Sequence, residues 1–320
     1  MTQPTPQFRL ITVPEECDSM RLDRFLKKRF AERSRNWLTE GIRLGQVRDA
    51  NEVALRPAAR VSAGQELRLY LPGIAPSGPE PAFPNVLFED EFIIVFHKPA
   101  GLLCHPAGTN FTWAVITQAK QRWPDHRIDL VHRLDRDTSG SLMLTKDADT
   151  NRFMKLAMKE HRVHKVYQAL CKGRIPWETH SFTGPIGVDG GVIRIKMAER
   201  SDGLAAHTDV EVIGRTDTMS HVRCVLHTGR THQIRVHLAT AGFPLVGDRM
   251  YGVEPEVFLH TLEHGADAWV REQAGAPHHA LHAETLVFPH PNGGQVTVEC
   301  PLPEVLQRWW NYPEVLPHDA

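Results

Sequence analysis

The densest polar word in this 320-residue chain is His132-Arg133-Leu134-Asp135-Arg136-Asp137-Thr138-Ser139-Gly140. Asp, Thr, Ser and Gly in succession suit a turn, because short polar side chains bond the local backbone and glycine accepts positive φ. A well-capped loop before an apolar strand Ser141–Leu144 explains most of that word. It does not explain Asp135, a carboxylate set between two arginines. An opposite charge within a few Å lowers an aspartate pKa by roughly 1–3 units, so such a group stays ionised and can act as nucleophile or base. A second word, His227-Thr228-Gly229-Arg230-Thr231-His232-Gln233-Ile234-Arg235-Val236-His237-Leu238, reads as a strand, a glycine turn and a helix over Thr231–Ala241. Arg230, His232, Arg235 and His237 crowd donors at the helix start, where a phosphate could bind; an ordinary turn with a solvated polar face fits as well. In the third word, Lys165-Val166-Tyr167-Gln168-Ala169-Leu170, strand alternation puts Lys165, Tyr167 and Ala169 on one face. A lone strand tyrosine is ordinarily core or edge packing.

These words need elements to hold them. Residues 72–86 contain five prolines and two glycines, which suits a semi-rigid linker and no helix or inner strand. The expected organisation is a small domain over 8–72, a linker over 73–86 and a large domain over 87–320. In the small domain, Leu22, Phe25 and Leu26 lie at i, i+3, i+4 and predict a helix near 21–31. Ser34 suits the N-cap of a second helix through about Glu40, ended by Gly41. Short strands are expected over Gln46–Arg48, Glu52–Leu55 and Glu66–Leu71. The large domain alternates strands (Phe92–Phe96, Leu142–Leu144, Tyr167–Leu170, Val222–Leu226, Val296–Cys300) with helical stretches (Asn151–Lys159, Thr231–Ala241). Many strands with a few inserted helices predict an α+β fold on a mixed or antiparallel sheet.

Composition narrows the class. The chain is 41% hydrophobic and 23% charged, enough apolar material for a core and too much for wholesale disorder. Its longest apolar run, Phe92–Phe96, is far below the roughly 18 residues that span a bilayer. No secretory h-region stands at the N-terminus, and the five cysteines are odd in number and never spaced as C-x-x-C; a reducing, cytoplasmic setting is expected. Net charge is −1 overall, yet residues 20–72 carry twelve basic against six acidic side chains. Such a block is a footprint for a polyanion, or simply a solvated helix face.

Two resemblances sharpen this reading. Arg21-Leu22-Asp23-Arg24-Phe25-Leu26, Ser34-Arg35, Gly41-Ile42 and Gly64-Gln65-Glu66-Leu67, with Arg24, Lys27, Lys28, Arg33 and Arg35 on and between the helices, resemble the small RNA-binding module of a bacterial small-subunit ribosomal protein. The usual Val-Asn-Gly turn is replaced by Val47-Arg48-Asp49-Ala50-Asn51. Over roughly residues 88–300, the three polar words, with Phe96-His97-Lys98-Pro99-Ala100-Gly101-Leu102 before them and Leu281–Pro291 after, resemble in order and spacing the RluA family of pseudouridine synthases. His97, where a small polar residue is commoner, and a long acidic, His-bearing stretch 253–279 depart from that pattern.

The resemblance implies isomerisation of uridine to pseudouridine in structured RNA without a cofactor, the base being both leaving group and nucleophile. It implies Asp135 as the catalytic carboxylate, Arg235 as its basic partner and Tyr167 as the aromatic that stacks on the uracil. It implies Arg133 entering the RNA stack where the uridine leaves, and substrate contacts from His132, Arg230, Lys165, Arg24 and Arg35. The expected partner is RNA, large-subunit ribosomal RNA ahead of tRNA, with no membrane, no obligatory protein partner and a monomeric state. A rival reading is a non-catalytic RNA-binding or ribosome-assembly factor on the same fold. Nineteen histidines raise a metal reading through His161/His164, His260/His264 and His278/His279/His282. No H-E-x-x-H is present, and His282-Ala283-Glu284 lacks the P-C-x-x-C a deaminase needs; no metal site is expected.

Overall fold

A computed structural model describes residues 8–30, 33–71, 82–105, 114–313 and 316, without the Glu263 side chain. The chain divides into two compact units, one of residues up to Ala82 with His105–Thr117, the other of Phe83–Cys104 with Gln118 onward. Of the linker expected over 73–86, residues 73–81 lie outside the described residues and 85–86 already belong to a strand.

The small unit contains β1 (Arg9–Thr12), α1 (Leu22–Arg29), α2 (Arg35–Arg43), β2 (Val47–Asp49) and β3 (Glu66–Leu69), its antiparallel sheet ordered β1-β3-β2. Leu22, Phe25 and Leu26 are buried with Leu38, Ile42, Leu67 and Leu69 in one core, each such side chain stabilising by about 1.5–3 kcal/mol. Ser34 caps α2 by accepting from Trp37 N at 3.2 Å. Gly41 does not end that helix, which runs on to Arg43. It is a packing glycine, since a Cβ there would collide with the Leu71 side chain. The strand expected over Glu52–Leu55 reduces to one bridge, Ala54 to Arg48, because Asp49 Oδ1 folds the chain into a turn by accepting from Asn51 N and Val53 N.

The large unit is built on a ten-stranded sheet. In chain order it contains β4 (Asn85–Glu89), β5 (Ile93–Lys98), β6 (Asp129–Leu130), β7 (Ser139–Thr145), α4 (Ala148–Lys159), β8 (His164–Lys172), β9 (Thr179–Phe182), β10 (Ile186–Val188), β11 (Met197–Glu199), β12 (Thr208–Arg215), β13 (Met219–Leu226), α5 (Gln233–Thr240), α6 (Pro255–His264), α7 (Ala268–Ala274), β14 (Leu281–Pro289), β15 (Gln295–Glu299) and α8 (Glu304–Asn311); α3 (Val115–Arg122) precedes β6 in the chain. The sheet runs β4-β5-β7-β14-β8-β13-β12-β9, with β15 on β14 and β6 on β7; β10 and β11 pair separately. Every pairing in it is antiparallel except β7 with β14. The fold is therefore α+β on a mixed sheet.

β7 is buried along its whole length, which explains its apolar run without alternation. It starts at Ser139, so Ser139 and Gly140 belong to the strand and not to the preceding turn. Gly140 has φ +114, and a Cβ there would collide with the backbone of Ala283 in β14. The parallel contact at the middle of the sheet therefore requires glycine. Asp147 caps α4 by accepting from Asp149 N and Thr150 N at 2.9 and 2.8 Å. That helix lays Met154 and Ala157 on a core shared with Ile93, Val95, Met143 and Phe288.

Candidate active site

The loop between β6 and β7 carries Asp135 and is pinned at four points, two through its backbone and two through its side chains. His132 Nε2 accepts from Met143 N at 3.2 Å. The Cys104 thiol bonds both Leu134 N and Leu134 O, at 3.3 and 3.2 Å. Lys98 Nζ, fully buried, donates to Arg136 O, Leu102 O and Pro99 O at 2.8, 2.8 and 2.9 Å. Thr138 Oγ1 pairs with His279 Nε2 at 2.7 Å. Asp137 is held by Arg249 and by Arg136 Nε. The carboxylate of Asp135 is thus presented on a frame built from β5, β7 and the segments that carry Cys104 and His279.

Burial pulls the Lys98 ammonium down to about 8, and three carbonyls compensate it. Lys98→Met should leave those acceptors without a donor and lower stability by about 2–3 kcal/mol, read from urea unfolding of the variant beside the native protein. An unchanged midpoint would mean the ammonium does not tie the loop.

Asp135 meets Arg235 across the site. Arg235 NH1 donates to Asp135 Oδ2 at 2.8 Å, while Nε and NH2 form a side-on pair with Asp248 Oδ2 and Oδ1 at 2.7 and 2.9 Å. Asp248 is fully buried and also accepts from Met250 N and Tyr251 N. The Tyr251 ring lies 5.0 Å from the guanidinium carbon. One guanidinium therefore bridges two carboxylates of unequal exposure, 0% for Asp248 and 28% for Asp135. Burial works against both charges, and the Arg235 guanidinium overcomes it: the Asp135 carboxyl is held below its usual range, and Asp248 is held at about 2. Both are ionised at neutral pH.

His232 Nε2 stands 3.9 Å from Asp135 Oδ2; burial, with Arg235 nearby, pushes its pKa down to about 4, so it is neutral. Tyr167, on β8 opposite Cys224 and Ala283, is buried, and burial together with the Asp135 charge raises its phenol well above the ordinary value. It is a protonated phenol at neutral pH. Lys165 lies on the same strand with its pKa pushed to about 8 by burial; a Cβ on Gly229 would sit 3.4 Å from its Nζ.

The second polar word folds differently from expectation. Its helix starts at Gln233, two residues later than Thr231, because His232 takes the left-handed conformation (φ 58). Gln233 Oε1 accepts from Arg230 N and Thr228 Oγ1. The donors that suggested a phosphate site are thus partly used within the turn. Arg230 Nε donates to Ala205 O at 2.9 Å, and Arg133 is exposed. In the small unit Arg24 is exposed, whereas Arg35 NH2 is committed to the buried Asp23 at 2.6 Å, beside Arg21.

Comparison with known proteins decides the family. The family model described as RNA pseudouridylate synthase matches residues 92–240. Ribosomal large subunit pseudouridine synthase D of Neisseria meningitidis serogroup A is 34% identical over 306 residues, 92% of this chain and 79% of that protein. The chain belongs to the RNA pseudouridylate synthase family. Ribosomal large subunit pseudouridine synthase C of Escherichia coli is 31% identical over 325 residues, 96% of this chain and 97% of that protein. Among solved structures, human RNA pseudouridylate synthase domain containing 1 aligns with a TM-score of 0.56 at 26% identity, over 70% of this chain and 86% of that one. The enzyme is an RNA pseudouridine synthase. The family match takes in Asp135, Tyr167 and Arg235 and stops before Asp248.

Asp248, Arg249 and His279 were not among the site residues expected from the sequence of this synthase. Asp248 sits in Gly247-Asp248-Arg249-Met250-Tyr251, which has the composition of any polar turn. Its only local hint is a charged pair directly between a glycine and two large apolar residues. No helix among the described residues is long and apolar enough to cross a membrane.

Proposed function

We propose that this synthase isomerises uridine in large-subunit ribosomal RNA, with Asp135 as the carboxylate that acts at the sugar. The observation that carries this is the unequal exposure of the two carboxylates on Arg235. Asp248, sealed from solvent, serves as the anchor; Asp135, on the same guanidinium but partly open, is the one a nucleotide can meet. The reaction breaks N1–C1′, turns the uracil and joins C5 to C1′, so the carboxylate must be ionised beside C1′ and C2′ at the outset, whether it attacks C1′ or takes the C2′ proton. Arg235 keeps it so and fixes its direction. The names of the bacterial relatives support the ribosomal substrate.

A uridine stacked in an RNA helix hides these atoms, so the target nucleotide is extruded at a cost of a few kcal/mol. Tyr167 offers a base face, an interaction worth about 1–3 kcal/mol. Its raised phenol pKa makes it a donor and not a resting-state base. Exposed Arg133, two residues before Asp135, fills the gap in the stack, while His132, Lys165 and Arg230 flank the entrance.

The small unit adds backbone affinity through its basic helices, from exposed Arg24 above all; Arg35, paired with Asp23, contributes in part by shaping that face. Arg24→Ala should weaken RNA binding about evenly across sequences and reduce the salt slope by about 1, measured by filter binding over a salt series. An unchanged slope would remove Arg24 from the interface.

The substrate class is tested with ribosomal RNA and tRNA pools purified from cells lacking the enzyme. After incubation and digestion to nucleosides, pseudouridine should rise in the ribosomal pool alone. A rise confined to tRNA would overturn the ribosomal assignment, and a rise in neither would overturn the function.

A further inference from the structure

Away from the Asp135 site, four polar side chains converge at one end of the sheet. Strand pairing brings them there. Ser181 on β9 lies directly opposite Asp209 on β12. His207 is two residues before Asp209 and so shares its face. The β12–β13 register pairs Thr208 with Leu226, and one step further His227 N–H donates to His207 O at 3.2 Å. His227 thereby stands across from His207.

Both imidazoles turn Nε2 to the same carboxylate. His207 Nε2 lies 3.0 Å from Asp209 Oδ1, and His227 Nε2 lies 2.6 Å from Asp209 Oδ2. The two rings stack with centroids 4.1 Å apart and planes 20° apart. Ser181 Oγ bonds Asp209 Oδ1 and approaches His207 Nε2 at 3.4 Å. The backbones behind the rings are fixed: Thr228 Oγ1 accepts from His207 N, Gln233 Nε2 donates to His207 O, and His161 Nδ1 donates to His227 O.

We propose that His207, Asp209 and His227 bind a divalent transition-metal ion, zinc in the first instance, with Ser181 Oγ or water completing the shell. Two imidazoles and a carboxylate are a donor set that zinc accepts. Zinc bonds of about 2.0–2.2 Å in a tetrahedron set ligand atoms about 3.3–3.6 Å apart. The three ligand atoms here lie within 4.8 Å of one another, and the two bonded pairs need open by no more than about 1 Å. The ion replaces the bonds from Nε2 to the carboxylate, both rings coordinating as neutral imidazole with the proton on Nδ1.

A second cluster shows what a filled set looks like. His97, His282 and Cys300 also come together, but His282 uses Nδ1 on Ser139 Oγ and Nε2 on Cys300 O, at 2.8 and 3.0 Å. It has no nitrogen left for an ion. The His207 group is half exposed, so an ion can enter.

A metal at this place departs from the expectation of no metal site drawn from sequence spacing. Its two histidines stand twenty residues apart, at the start of β12 and the end of β13, and are not a local His pair. Its place also gives it a task. The ion would fasten the start of β12 to the end of β13, where the turn carrying Arg230 and His232 leaves the sheet for the Arg235 helix.

The test uses the full chain, freed of metal by chelator and titrated calorimetrically with zinc sulfate. One equivalent should bind, and the unfolding midpoint should rise with zinc as mass action requires. His227→Gln and Asp209→Asn, each shown to be folded by circular dichroism, should bind at least about tenfold more weakly. His260→Gln, which removes a second stacked imidazole pair, that with His264, should bind as the native chain does. In the unsubstituted chain, ring signals of two histidines should move together with the first equivalent of zinc. Absence of binding, equal binding by the His227 and Asp209 variants, loss of binding in His260→Gln, or an unmoved histidine pair would each overturn the proposal.

Discussion

Asp135→Asn should lower single-turnover isomerisation by about 10⁴-fold, equivalent to about 5 kcal/mol of transition-state stabilisation, while RNA still binds. The amide keeps the size of the side chain and one oxygen toward Arg235, so the frame built by Cys104, Lys98 and His279 is left as it is. What disappears is the negative charge beside the sugar. Binding should be equal or slightly tighter, because a carboxylate that repels phosphate has gone and Arg235 carries charge to spare. In the native enzyme the Asp135 carboxyl is held below its usual range. Its ionisation therefore leaves turnover flat through neutral pH and down to the onset of acid unfolding. Turnover within tenfold of native in the variant would remove Asp135 from the chemistry. A large loss of RNA binding would instead make it a contact residue.

Asp248→Ala should be the most destabilising substitution near the site, costing about 3–5 kcal/mol. The side chain is fully buried and accepts four hydrogen bonds: two from Arg235 and one each from Met250 N and Tyr251 N. Truncation leaves a buried guanidinium with Asp135 as its remaining carboxylate, and two backbone donors unpaired. The loss should appear in urea unfolding followed by near-ultraviolet dichroism, as a lower midpoint for the large unit. The pH dependence gives an independent reading. Because the folded-state pKa of Asp248 is depressed from 3.8 to about 2, its contribution is present above the unfolded value and is lost as pH falls through the folded one. The native protein should therefore lose stability between about pH 4 and 2 more steeply than the variant. Equal acid limbs, or a midpoint unmoved at neutral pH, would contradict the anchoring role.

How far the sequence carried this account depends on whether the signal was local. Asp135 stood out because its arginine neighbours and the apolar strand after it lie within ten residues. α1 and α2 were legible from Leu22, Phe25, Leu26 and the Ser34 cap, all short-range features. β12 carries an equally local pattern, Val210 and Val212 alternating with Asp209 and Glu211, which the strand assignment above leaves out. Gly41 was misread because a glycine that ends a helix and one that makes room for Leu71 look the same in one dimension. Asp248 had only the weak hint of a charged pair beside a glycine, and the His207–Asp209–His227 group had no local signature. Their partners lie thirteen to twenty residues away, and only the turn after β13 and the strand register bring them together. Arg235 as the partner of Asp135, one hundred residues distant, was reached through family resemblance and not through spacing.

The most direct measurement of the central claim is tritium release from large-subunit ribosomal RNA labelled at uridine C5, taken from cells lacking the enzyme. Joining C5 to the sugar must expel that hydrogen. The native chain should release label in proportion to the pseudouridine formed, and Asp135→Asn, bound to the same RNA, should release none above background. Release by the variant at the native rate, or none by the native chain from any RNA it binds, would contradict the account.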